Sequence, residues 1–103
     1  MILLADSGST KTDWCLVDQN NSVTKVRTAG INPFFQSSEE IANELATHLV
    51  PHLPTTRLDS VYFYGAGCTK EKSPIVAEAL KKQFEITGAC EVATDMLAAA
   101  RGL

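Results

Sequence analysis

The feature that most constrains the fold is a change of hydrophobic period near residue 37. Before it, apolar residues come in short β-like runs separated by polar turns. Ile2–Ala5 is a continuous apolar run, Trp14–Asp18 is a second, and Ser22–Ala29 alternates after the turn Gln19-Asn20-Asn21. Strands joined this closely form an antiparallel meander, since parallel neighbours need a long crossover. Beyond residue 37 the period is helical. Ser37 with Glu40 three residues on is a capping-box signature, and Ile41, Ala42, Leu45, Ala46, Leu49 and Val50 form one stripe that Pro51 and Pro54 end. Val61–Tyr64 is a β-rich run that stops at Gly65-Ala66-Gly67. Ser73-Pro74 predicts an N-cap and a first-turn proline for a second helix, with Ile75, Val76, Ala79, Leu80 and Phe84 on one side. Gly88–Ala93 is a short last strand, and Thr94-Asp95 opens a third helix rich in alanine.

The element order is therefore βββαβαβα, an α/β pattern. A meander followed by two right-handed crossovers is the mixed five-stranded sheet of the ribonuclease H-like fold, with strands four and five on the far side of strand one. With 103 residues the chain forms one domain, 1–103. Its end reads as a boundary imposed on a longer protein, because nothing after the third helix closes the fold.

Composition excludes several classes. The apolar fraction of 45% and charged fraction of 20% are those of a globular protein. The net charge is −3 with Lys and Arg scattered, which argues against nucleic acid as a partner. No apolar run approaches the ~20 residues of a membrane span, and no basic flank or small-residue cleavage site marks a leader. A cytoplasmic protein is expected. Cys15, Cys68 and Cys90 lie far apart and suggest neither zinc nor a disulfide framework, so they read as small core residues. His48 and His52 are four apart on the first helix without a third ligand, and read as a solvated helix face.

The loop Asp6-Ser7-Gly8-Ser9-Thr10-Lys11-Thr12 carries the most chemistry. A carboxylate at the end of strand one can hold a hydrated divalent metal, and the small residues after it let N–H groups and hydroxyls face phosphate oxygens. Lys11 can add a positive charge. It is not a Walker loop, because no glycine precedes Lys11 and the loop joins strand to strand. From the residues alone it is equally a polar hairpin turn. Asn32-Pro33 can be a simple turn, Gly65-x-Gly67 a tight strand-to-helix connection with Lys70 where a dinucleotide fingerprint has glycine, and Asp95 a helix cap.

Asp6-x-Gly-Ser-Thr-x-Thr after an apolar strand and before Trp14-x-Leu-Val-Asp resembles the first phosphate motif of the superfamily of actin, heat-shock chaperones and sugar kinases. More narrowly, the chain resembles the N-terminal lobe of N-acetylglucosamine kinases and of the ATPase family that includes the benzoyl-CoA reductase activases. The resemblance implies an ATP-dependent sugar kinase that uses magnesium. It implies that Asp6 orients the magnesium through water, and that Gly8, Ser9, Thr10 and, more loosely, Lys11 wrap the phosphates. Gly30-Ile31-Asn32-Pro33 is similar to the segment whose amide contacts sugar hydroxyls, which implicates Asn32. Gly65 and Gly67 fall where a glycine turn borders the substrate cleft. Thr94-Asp95 matches the position where Asp95 would be the base for the sugar hydroxyl. The implied partner is a small sugar, N-acetylglucosamine or a relative, with a homodimer for the full-length protein and a C-terminal lobe outside this chain. Other readings are an activase coupling ATP hydrolysis to electron transfer, a non-catalytic actin-like module, and a nuclease of the same fold. The nuclease would need an acid where Gly65 ends strand four.

Overall fold

The computed structural model describes residues 1–94. The third helix expected from Thr94-Asp95, and Asp95 itself, lie outside the described residues. Three strands open the chain: β1 (Ile2–Ser7), β2 (Lys11–Val17) and β3 (Val23–Ala29). Strand alternation sends Leu3, Ala5 and Ser7 of β1, and Thr12, Trp14 and Leu16 of β2, into the core. Ile2, Leu4 and Asp6 face the other way and are exposed. The β2–β3 turn is held by Asp18, whose Oδ1 accepts from the N–H of Asn20 and of Ser22, while Asn21 sits at φ 63°.

The first helix, α1 (Ser38–Glu44), begins with the expected capping box: Ser37 Oγ accepts from Glu40 N, and Glu40 Oε1 accepts from Ser37 N. The helix does not run on regularly to Val50. It widens into a π-type turn over Leu45–Leu49, then tightens into a 3₁₀ turn over Val50–His52. Pro51 is the reason, since its ring would clash with the Thr47 carbonyl of a regular α-helix. The second helix, α2 (Ser73–Gln83), corrects one expectation. Ser73 is its first helical residue, not its N-cap, and Lys72 at the cap makes no side-chain bond.

Two short strands escaped the sequence reading: β4 (Arg57–Leu58) and β6 (Glu85–Ile86) pair in parallel as a separate ribbon. The main sheet is completed by β5 (Ser60–Gly65) and β7 (Cys90–Ala93), each parallel to its inner neighbour. Its order is β3-β2-β1-β5-β7, so the crossover strands do lie beyond β1 from the meander. The architecture is a mixed five-stranded α/β sheet of the ribonuclease H-like kind.

One core joins the inward face of the sheet to α1 and α2. Leu3, Trp14, Leu16, Val61 and Phe63 meet Ile41, Leu45, Leu49, Val76 and Leu80 there. Trp14 and Phe63 are tilted at 53° with ring centroids 5.6 Å apart, and Trp14 Nε1 donates to Thr28 Oγ1 at 2.9 Å. All three cysteines are free: Cys68 is buried, Cys15 and Cys90 only half-buried. Burial pushes the Cys90 thiol up, with Lys81 partly opposing. His48 and His52 are exposed, with His48 Nε2 3.6 Å from Glu44 Oε2.

Candidate functional site

The strand boundaries reshape the polar loop. Because β1 runs on to Ser7 and β2 begins at Lys11, only Gly8-Ser9-Thr10 remain as the connection. Gly8 N donates to the Lys11 carbonyl at 2.8 Å and closes the turn. Among the described residues nothing accepts from the N–H of Ser9 or Thr10, and both side chains are exposed. Two amides and two hydroxyls therefore stand open at the carboxyl end of β1. This is the donor set that a phosphate requires.

Asp6 precedes this turn on the outer face of the sheet, opposite Asp13 on β2 and beside Tyr64 on β5. Two carboxylates facing each other across a ladder repel. Here Arg27 relieves the pair by donating from Nε to Asp13 Oδ1 at 2.7 Å. No described residue bonds the Asp6 carboxylate, so it remains available to a cation. A single exposed carboxylate beside a phosphate-ready turn fits magnesium, which keeps most of its waters and takes its other ligands from phosphates.

The segment after β3 is fastened beneath the turn. Gly30 N donates to the Thr10 carbonyl at 3.1 Å. A β-carbon on Gly30 would stand 2.7 Å from the Gly8 oxygen and 2.9 Å from the Ser9 carbonyl carbon and oxygen, so only glycine allows this approach. Ser7, 1% exposed, accepts from Ile31 N at 3.0 Å and lies 2.8 Å from Thr12 Oγ1. Asn32 follows. Its N–H donates to Gln36 Oε1 at 2.7 Å, and its Oδ1 accepts from Phe34 N at 2.9 Å. With the oxygen engaged inside the turn, what Asn32 offers a ligand is its NH₂.

The turn after β5 closes the group. Ala66 N donates to the Ser7 carbonyl at 3.3 Å, and Gly67 adopts φ +78°. A β-carbon on Gly67 would collide with the Asn32 side chain and meet Phe34 at 3.0 Å. The structure thus brings together Asp6, Gly8, Ser9, Thr10, Asn32, Gly65 and Gly67. Thr94 is half-buried at the end of β7, beyond β5. Lys11, together with Thr10 of the turn and with Arg27, Glu44, His48 and His52, lines an open groove beside β3.

Two residues of this group were missed as individuals, Ser7 and Thr12. Their signal lay in the alternation itself. Each occupies an inward position otherwise filled by Leu3, Ala5, Trp14 and Leu16, and a buried hydroxyl must find partners.

Fold and site together define one α/β lobe of the ribonuclease H-like class, with a phosphate-ready hairpin and an amide-bearing turn at the carboxyl end of its central strand. Over 100% of its length the chain matches a crystal structure from Porphyromonas gingivalis of a protein provisionally named an N-acetylglucosamine kinase, with 46% sequence identity and a TM-score of 0.89. The chain spans only 37% of that protein. No protein-family model and no curated protein matches the chain.

Proposed function

We propose that this chain is the N-terminal lobe of a cytoplasmic, ATP-dependent sugar kinase whose acceptor is N-acetylglucosamine or a related amino sugar. The observation that carries the reading is the junction of two loops. The Gly8–Thr10 turn, with the open N–H groups of Ser9 and Thr10, rests directly on the Gly30–Asn32 segment, which presents the side-chain NH₂ of Asn32. A kinase needs this adjacency, because phosphoryl transfer is mostly positioning of phosphate and acceptor.

In this reading Ser9 and Thr10 receive the terminal phosphates through N–H and hydroxyl groups. Asp6 would hold magnesium through water, and that ion would neutralise phosphate charge. Asn32 donates to a sugar hydroxyl or carbonyl. Asp95, directly after Thr94, takes the hydroxyl proton. The adenine pocket belongs to a second lobe, and the whole protein acts as a monomer or homodimer.

The 46% identity to the P. gingivalis protein supports the sugar-kinase class. The activase reading gains nothing from Cys68: a cluster shared between subunits needs surface thiolates, whereas Cys68 is 2% exposed. The test is a coupled assay of the full-length protein with Mg-ATP against a sugar panel. Phosphorylation of N-acetylglucosamine or another amino sugar is expected. ATP hydrolysis indifferent to every sugar would sink the reading.

A further inference from the structure

We infer that Ser7 is a positioning residue, whose buried hydroxyl fixes the acceptor-side turn against the phosphate hairpin and thereby couples phosphoryl transfer to the presence of sugar. The inference rests on the kinase reading above. It starts from proton accounting. Thr12 Oγ1 lies 3.0 Å from the Ala29 carbonyl, and with its only proton placed there it can only accept from Ser7. In that arrangement Ser7 donates to Thr12 at 2.8 Å while accepting from Ile31 N at 3.0 Å. The Ile31 carbonyl, at 3.2 Å, is the longer alternative for the same proton. In both arrangements Ser7 is bonded to Ile31 on one side and to Thr12 on the other, and in the shorter one the chain runs on to the Ala29 carbonyl.

This chain begins and ends on the two residues that flank Gly30, and it passes through both feet of the phosphate hairpin. Serial hydrogen bonds in a buried setting strengthen one another. Ser7 also reaches the third loop: its carbonyl accepts from Ala66 N, and its Cβ would lie 3.0 Å from a β-carbon on Gly65. Among the described residues Ser7 alone bonds the acceptor-side segment, the second foot of the hairpin and the glycine turn after β5. The hydroxyl faces the core, so it does not touch substrate. It acts by holding Asn32 at a fixed offset from Ser9 and Thr10, and an offset of this kind decides whether the phosphate meets sugar or water.

The test uses the full-length protein and three variants. Ser7→Ala removes the hydroxyl, Ser7→Thr keeps it, and Leu49→Ala destabilises the core away from the site. Two quantities are read: amide hydrogen exchange at Ile31 and at Gly8, and the ratio of ATP hydrolysed to sugar phosphate formed. Ser7→Ala should speed exchange at both amides about tenfold or more and raise the ratio several-fold. Ser7→Thr should restore both, and Leu49→Ala should leave the ratio unchanged. A folded Ser7→Ala protein with normal exchange at either amide overturns the coupling of the loops. Faster exchange with an unchanged ratio, or a ratio moved equally by Leu49→Ala, overturns the positioning role. If the unaltered protein phosphorylates no sugar, the kinase reading falls and takes the catalytic half of this proposal with it. The exchange data still decide, independently, whether Ser7 binds the loops into one unit.

Discussion

Gly30 lies so close beneath Gly8 that a β-carbon on it would stand 2.7 Å from the Gly8 carbonyl oxygen. The atoms it would meet are backbone, held in turn by the bonds from Gly8 N to Lys11 O and from Gly30 N to Thr10 O. They cannot rotate away as a side chain would. Gly30→Ala should therefore cost about 1–3 kcal/mol, the usual range for overpacking. Denaturant unfolding measures it. A midpoint equal to that of the unaltered protein would mean that the two loops do not touch in solution.

Asn32 is best tested by a change that spares its internal bond. Asn32→Asp keeps an oxygen for Phe34 N and removes the NH₂ proposed to face the sugar. Losing a donor to a bound hydroxyl costs roughly 1–3 kcal/mol, or about ten- to a hundredfold in binding. The sugar KM of the full-length enzyme should rise by that factor, with the ATP KM moving less. A shift in the ATP KM alone would reassign Asn32 to the nucleotide.

Cys90 gives a pH prediction. Burial raises its thiol in the fold, Lys81 opposing, so the unfolded chain ionises first as pH rises. The folded state then binds more protons, and stability falls with pH. The contribution is whole below the ordinary thiol range of about 8.5 and is lost as pH climbs through the raised folded value. Cys90→Ser, which does not titrate there, should flatten the decline of stability above about pH 8 relative to the unaltered protein. Parallel curves would show that Cys90 ionises alike in both states.

Much of this was legible in residue order because local and global preferences agree. The Ser37–Glu40 box, the apolar stripes and the short turns each dictate one structure, and right-handed crossovers then fix the sheet order. The misreadings have physical causes. Asp6, Thr12 and Asp13 look like loop residues, yet in a strand their alternation is sound: the carboxylates point to solvent and the Thr12 hydroxyl turns inward to bonding partners. Two-residue strands such as Arg57–Leu58 have no period to detect. The partnership of Ser7 with Ile31 spans 24 residues and belongs to tertiary structure alone.

Asp95 divides the functional and the purely structural readings most sharply. It follows Thr94 directly at the end of β7, at the position where resemblance to sugar kinases places the base for the acceptor hydroxyl. It also opens an alanine-rich stretch, Ala98-Ala99-Ala100, where an acid serves equally well as a helix cap. Asp95→Asn preserves shape but removes the charge that would accept a proton. If Asp95 is the base, turnover in the full-length enzyme should fall by roughly 10²–10⁴, with ATP binding largely intact. If it only caps a helix, Asn caps about as well, and both stability and activity should hardly move. Because neither outcome passes through unfolding, a steady-state assay beside a thermal melt separates them. A folded variant that keeps most of its sugar-dependent ATP turnover would remove Asp95 from the mechanism, and the proton would then need another acceptor in the cleft.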